Sequence, residues 1–270
     1  VVVAYSASAA PEPRVALVIG NGAYPSIGAL RTPPNDAKLM ARTLRGLGFD
    51  VRQWLNSDQR SMKRAILDFG ARLEKAGKNA VGLFYYAGHA VQVRGTNYLV
   101  PLNTMITRPA DLEIEAVNAS WVLSQMSFAA NRINLVVFDA SLANPFARTF
   151  RSTAKGLAKM NAPPGVLIAY STAPGTLAID GKGANSPYTR ALASAMTRPG
   201  LRLNDVFKQV AAAVRAETRN RQSPWQASSL KSELIFKAKA PPPPPPVVAQ
   251  PQRLSQETIF WQSVQNSKNI

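Results

Sequence analysis

No cysteine occurs anywhere in the 270 residues, and histidine occurs once, at His89. The missing thiols exclude disulfides, thiolate metal sites and a thiol nucleophile from this chain. A single histidine excludes multi-histidine metal centres as well, so no metal and no cofactor are predicted. Acidic residues are scarce, 15 against 32 Lys and Arg, which gives a net charge of +17. The basic residues are scattered, with no long run and no interleaved aromatic stripe. That pattern predicts a solvated basic surface rather than a specific nucleic-acid site. Long apolar runs are missing too, so no transmembrane segment is expected. Gly20-Asn21-Gly22 lacks the third glycine of a dinucleotide loop, and Pro25 interrupts it, which argues against a nucleotide cofactor.

What the chain does have is enough apolar sequence, 46% of residues, for one sizeable core. Apolar runs at residues 14–20, 49–55, 80–86, 133–140 and 166–170 read as buried strands. Amphipathic helices are predicted at 36–46, with Asn35 as cap, and at 61–76, 121–129, 188–197 and 204–219. Residues 91–93 and 98–100 flank Arg94-Gly95-Thr96-Asn97 as a hairpin, and 234–236 is expected to close the sheet. Asp111, Glu113 and Glu115 alternate as on an exposed strand or loop and lack the spacing of a calcium loop. Strands alternating with helices predict an α/β fold with a mainly parallel central sheet flanked by helices.

The organisation expected is an extension over residues 1–13, a domain over 14–238, a proline-rich linker over 239–253 and a short amphipathic segment over 254–270. Residues 241–246 are six consecutive prolines, which favour a semi-rigid polyproline II spacer. The apolar opening and the Ala7-Ser8-Ala9 ending resemble the tail of a secretory signal, an expectation of a secreted or periplasmic protein.

Two strand ends stand out. One run ends in Ala87-Gly88-His89, and another climbs through Phe138 to Asp139-Ala140-Ser141 before breaking at Asn144-Pro145. In parallel sheets such ends share one carboxyl edge, where ligands and chemistry collect. A hydroxyl and an imidazole on that edge form a hydrolase layout.

The flanks are more specific than the pair. Phe84-Tyr85-Tyr86-Ala87-Gly88-His89-Ala90 and Val137-Phe138-Asp139-Ala140-Ser141-Leu142-Ala143-Asn144-Pro145-Phe146 resemble the two active-site motifs of bacterial caspase-like peptidases, relatives of the metacaspases. The likeness runs on through Val15-Ala16-Leu17-Val18-Ile19-Gly20, Pro33-Pro34-Asn35-Asp36-Ala37 and Gln222-Ser223-Pro224-Trp225-Gln226, spanning 14–237. It implies the three-layer caspase–haemoglobinase sandwich. It also implies that His89 stands at the catalytic histidine, Ser141 at the nucleophilic cysteine, and Asp36 and Asp139 at the acidic residues that receive the residue before the scissile bond. Paired carboxylates favour a guanidinium or ammonium, so the implied ligand is an Arg- or Lys-containing peptide or protein.

Three positions depart from the family pattern. Ser141 replaces cysteine, Leu142 replaces arginine and Ala90 replaces glycine. A hydroxyl is a far weaker acid than a thiol and needs a well-aligned base, usually held by a third group. The expectation is therefore a pseudopeptidase that binds basic segments. Two rivals stand beside it: an active hydrolase cleaving after Arg or Lys through Ser141 and His89, and a scaffold regulating an active caspase-like paralogue. Arg148, Arg151, Lys155 and Lys159 lie where caspase-like proteins are often cut, although a solvated basic loop is the simpler expectation.

Overall fold

The computed structural model describes residues 12–140, 156–240, 260–262 and 264. Ser141, the signal-like start, Arg148, Arg151, Lys155 and the six prolines lie outside the described residues. The chain divides into two units, one through Ala238 and one from Lys239. In the second, Phe260 to Gln262 and Val264 are helical, and the Phe260 and Trp261 rings meet edge to face at 5.9 Å. No helix among the described residues is long and apolar enough to cross a membrane.

The first unit alternates strand and helix. Strand β1 (Arg14–Gly20) leads to helix α1 (Pro33–Gly46), β2 (Asp50–Leu55), α2 (Gln59–Ala76) and β3 (Val81–Gly88). A small excursion follows, made of β4 (Ala90–Val93), β5 (Thr96–Leu99), the short α3 (Asp111–Glu115) and β6 (Val117–Asn118). Then come α4 (Ser120–Ala129), β7 (Ile133–Ala140), β8 (Val166–Tyr170), α5 (Pro187–Met196), α6 (Leu203–Glu217) and β9 (Trp225–Ser228).

The main sheet has the order β2-β1-β3-β7-β8-β9. Its first four pairings are parallel and β9 joins antiparallel. All eight residues of β3 and all eight of β7 are buried, as strands covered on both faces require. Alternate side chains feed two cores. Val18, Tyr85 and Val137 pack with Leu44 of α1, Leu192 of α5 and Val210 of α6. Leu17, Phe84, Phe138 and Tyr170 pack with Phe69 of α2 and Val122 of α4. Helix, sheet and helix therefore form three layers.

Three local expectations change. Helix α1 starts at Pro33 rather than Asp36, because a proline in the first turn has its φ already set and needs no hydrogen-bond partner. Asn35 is not its cap; its Nδ2 donates instead to the Ala184 carbonyl at 3.2 Å. The sheet is closed by β9, not by residues 234–236, since Leu234 and Phe236 turn into the core beneath α1 and α6. Asp111 to Glu115 form helix α3 rather than a strand. The Asp111 carboxylate accepts the backbone N–H groups of Thr107 and Arg108, at 3.0 and 2.9 Å, and so fixes the turn before it. The hairpin forms as expected, over 90–93 and 96–99, with Arg94 and Gly95 both at positive φ in its turn. Strand β6 extends it into a three-stranded sheet.

Candidate active site

The chain runs from β1 outward to β2 and then returns to place β3 on the other side of β1. The loops leaving β1 and β3 therefore diverge and open a crevice at their carboxyl ends. In the register of β3 against β7, Gly88 pairs with Ala140, so His89 and Ser141 each follow one member of the same pair.

His89 is buried and closely held. Its ring Nε2 lies 2.8 Å from the Gly28 carbonyl. A carbonyl only accepts, so Nε2 carries the hydrogen and Nδ1 is the basic nitrogen of the neutral ring. The Tyr24 ring packs against the imidazole at 4.5 Å between centroids. The Tyr24 hydroxyl accepts from His89 N–H at 3.0 Å and donates to the Val100 carbonyl at 3.1 Å. The Tyr86 hydroxyl donates to the His89 carbonyl at 2.8 Å. Gly88 permits this crowding, because a Cβ there would lie 2.8 Å from both tyrosine oxygens and φ is +152°. Ala90, at the position where the family pattern has glycine, is fully buried in the second core.

The acidic residues form a second cluster. Asp36, in the first turn of α1, is 1% exposed, and Asp139, at the end of β7, is 9% exposed. Asp36 Oδ1 accepts from Asn185 Nδ2 and from Ser186 N, both at 2.9 Å. Asp139 Oδ2 accepts from the Ser186 hydroxyl and from the Thr189 hydroxyl, the latter at 2.6 Å. Ser186 also caps α5 by accepting Thr189 N–H at 2.9 Å, so one residue ties both carboxylates to a helix start.

Asp180, in the loop after β8, brings a third carboxylate to the same cleft. The Thr32 hydroxyl donates to it at 3.3 Å. No ion pair with Lys or Arg reaches any of the three among the described residues. Burial first, and repulsion from Asp139 second, push the Asp36 carboxyl up to about 7. Burial likewise raises Asp139, against the pull of its hydroxyl donors. The cavity left between Thr32, Asp36, Asp139, Asp180 and Ser186 is about 20 Å³, room for one water.

Sequence reasoning singled out His89, Asp36 and Asp139, and the structure brings the two aspartates to one cleft that Gly88, the neighbour of His89, also lines. Ser141 lies outside the described residues. Reasoning from sequence missed Asp180, the Ser186 and Thr189 donors, and the Gly28 carbonyl. Ser186-Pro187 was legible as a helix start, a cap followed by proline at the first position, but not as a carboxylate ligand. Lys159, expected in a solvated basic loop, is exposed and stands over the Trp225 ring at 5.6 Å. No cluster of His, Asp and Glu suited to a metal ion occurs among the described residues.

Comparison with known proteins adds three findings. The family model described as the caspase domain matches residues 13–235. The human mucosa-associated lymphoid tissue lymphoma translocation protein 1 is 34% identical over 90 residues, 33% of this chain and 11% of that protein. Its mouse homologue is 34% identical over 90 residues, 33% of this chain and 10% of its own length. The chain thus spans about a tenth of the curated relatives it matches. Among solved structures, the Drosophila initiator caspase Dronc superposes with a TM-score of 0.60 at 13% identity, covering 83% of this chain and 82% of that one.

Proposed function

Because the chain belongs to the caspase domain family, we propose that it is a pseudopeptidase of that family, in which the acidic cleft still receives an Arg or Lys side chain of a peptide or partner protein. The observation that carries the reading is the set of Asp36, Asp139 and Asp180 gathered in one cleft with no ion pair to Lys or Arg among the described residues. Burying carboxylates without a counter-charge is destabilising, and a fold tolerates it mainly where a ligand supplies the missing charge. An arriving guanidinium would donate to Asp36 and Asp139 in place of Asn185 Nδ2 and the Ser186 hydroxyl. A cavity of 20 Å³ is too small for that side chain, so binding must displace the 180–186 loop.

The chemical half of the site supports recognition over turnover. Ser141 supplies a hydroxyl where the family uses a thiol, and a hydroxyl is a far weaker acid than a thiol. Leu142 offers no cation and Ala90 no glycine.

The rival reading, a serine hydrolase, draws on the same orientation of His89, which leaves Nδ1 as a base. Fluorogenic Arg- and Lys-peptides separate the two. The proposal expects no turnover that depends on Ser141, together with calorimetric binding of an Arg-terminated peptide that weakens roughly thirtyfold in Asp139→Asn. Turnover abolished by Ser141→Ala would establish the hydrolase, and absence of binding to the wild-type chain would remove the peptide-recognition reading.

A further inference from the structure

Residues 180–185 close the acidic cleft by leaning on the start of α1, and they do so between two fixed points. At one end Ile179 N–H donates to the Gln222 side-chain oxygen at 3.1 Å, and buried Gln222 is itself tied to the Ser171 carbonyl at 2.7 Å. At the other end Ser186 caps α5. The stretch between, Asp180-Gly181-Lys182-Gly183-Ala184-Asn185, contains no helix or strand. Its one apolar side chain, Ala184, is exposed, so no hydrophobic burial holds it down.

Hydrogen bonds hold it instead, and they are unequal. Arg31 reaches the Gly181 carbonyl at 3.4 Å, the Thr32 hydroxyl the Asp180 carboxylate at 3.3 Å, and Asn35 the Ala184 carbonyl at 3.2 Å. All three sit at or beyond the long end of the usual range. The short one joins Asn185 Nδ2 to Asp36 Oδ1 at 2.9 Å. Exposed neutral bonds contribute little net, because water replaces them on opening, whereas a bond to an ionised carboxylate contributes more. Asn185 is therefore the main latch. Asp180 rides on the same stretch, so opening also separates like charges.

We propose that residues 180–185 are a lid latched by Asn185, whose amide stands in for the ligand's cation, so that the unliganded domain inhibits its own cleft. The proposal rests on reading the cleft as a site for an Arg or Lys side chain. The latch suits exchange: a neutral amide that donates once to Asp36 is displaced by a guanidinium, which carries a full charge and a fork of donors. Until then the ligand meets an open cleft only in a fraction of molecules, and its apparent affinity falls by that fraction.

Opening is measured first on the whole chain without ligand. The chain has no cysteine, so Thr32→Cys installs a single thiol on a cleft wall that is 1% exposed. A cavity with room for one water cannot admit methyl methanethiosulfonate while the lid is shut. Labelling should be slow in Thr32→Cys and about tenfold faster once Asn185→Ala is added. Asn35→Ala, which frees the Ala184 carbonyl and keeps the latch, should speed it by a smaller factor. If Thr32→Cys fails to fold, exchange of the Ser186 amide hydrogen, which donates to Asp36 Oδ1, reports the same opening in the cysteine-free chain. In calorimetry, Asn185→Ala should then bind an Arg-terminated peptide about tenfold more tightly than the wild type. Labelling and exchange unchanged in both variants would overturn the lid, whatever the peptide does. Faster labelling with peptide affinity unchanged or reduced in Asn185→Ala would overturn the latch as a competitor of the ligand. Faster labelling with no peptide binding by any variant would instead remove the Arg or Lys reading of the cleft, and the competition with it, while the lid's motion stood.

Discussion

His89 and the Asp36–Asp139 pair occupy the same edge of the same sheet, yet the chain treats their polarity in opposite ways. Around His89 every described contact is neutral: the Gly28 carbonyl, two tyrosine hydroxyls, a backbone N–H and an aromatic face. The imidazole is held in place, and the Gly28 carbonyl gives it one tautomer. Around the aspartates carboxylates are concentrated, with a third added and, among the described residues, only hydrogen-bond donors to offset them. A site meant for turnover would balance its base with a charge, whereas a site meant for capture keeps its charge uncompensated until the ligand arrives. The difference teaches that one sheet edge can carry an imidazole of fixed tautomer and, beside it, a cluster of buried carboxylates.

The largest effect should come from making the two halves alike again. Ser141→Cys restores a thiol whose acidity a nearby imidazole can enhance. If the framework around Gly28 and Tyr24 is intact, cleavage of Arg- and Lys-peptides should rise by orders of magnitude over the wild type and vanish on adding His89→Ala. A silent Ser141→Cys chain would show that Leu142 and Ala90 have disabled the chemical half independently of the nucleophile.

The uncompensated charge should also appear in stability. A carboxyl whose folded value lies near 7, against about 3.9 when unfolded, binds its proton more tightly in the folded state. Its penalty is absent below the unfolded value, grows as pH rises between the two and is complete above the folded one. The unliganded protein should therefore lose a few kcal/mol between pH 4 and pH 7 from this group, the reverse of an ion-paired aspartate. Asp36→Asn should flatten that slope in thermal melts at pH 5 and pH 8, and affinity for an Arg-peptide should rise over the same interval. A slope unchanged in the variant would assign it to another group.

Next in size, Asp139→Asn keeps the shape of the cleft but removes a full charge-assisted bond. It should weaken Arg-peptide binding by about 2 kcal/mol, roughly thirtyfold, in calorimetry. Equal weakening by Tyr24→Phe would break the contrast drawn between the two halves. The smallest effect belongs to that variant itself. Losing the hydroxyl that links His89 N–H to the Val100 carbonyl should lower stability by about 1 kcal/mol and leave peptide affinity as it was.

The sheet was readable because β1, β3, β7 and β8 are short apolar runs with abrupt polar ends, and covered strands need little else. Helix α1 was placed late because Asn35 looked like a cap, whereas the two prolines ahead of it had already set the backbone. Strand β9 was missed because its residues are only partly buried, and the more hydrophobic 234–236 stretch competed for the assignment. Asp180 sat unnoticed in a glycine-rich loop. The only signal available was that this loop leaves a parallel strand at the edge that also carries His89 and Asp139.

Local sequence by itself determined which residues would stand at the strand ends, since hydrophobic runs and their breaks are written residue by residue. It also determined the residues of the two motifs, Ser141 and Leu142 in one and Ala90 in the other. Tertiary structure alone decided which groups meet. Ser186 reaches Asp36 and Asp139 across about 150 and about 50 residues of chain because α5 begins over the same edge where β7 ends. The Gly28 carbonyl faces His89 because β1 and β3 are neighbours in the sheet although β2 lies between them in the chain. Contacts of that range depend on strand order and packing, which no stretch of sequence carries alone.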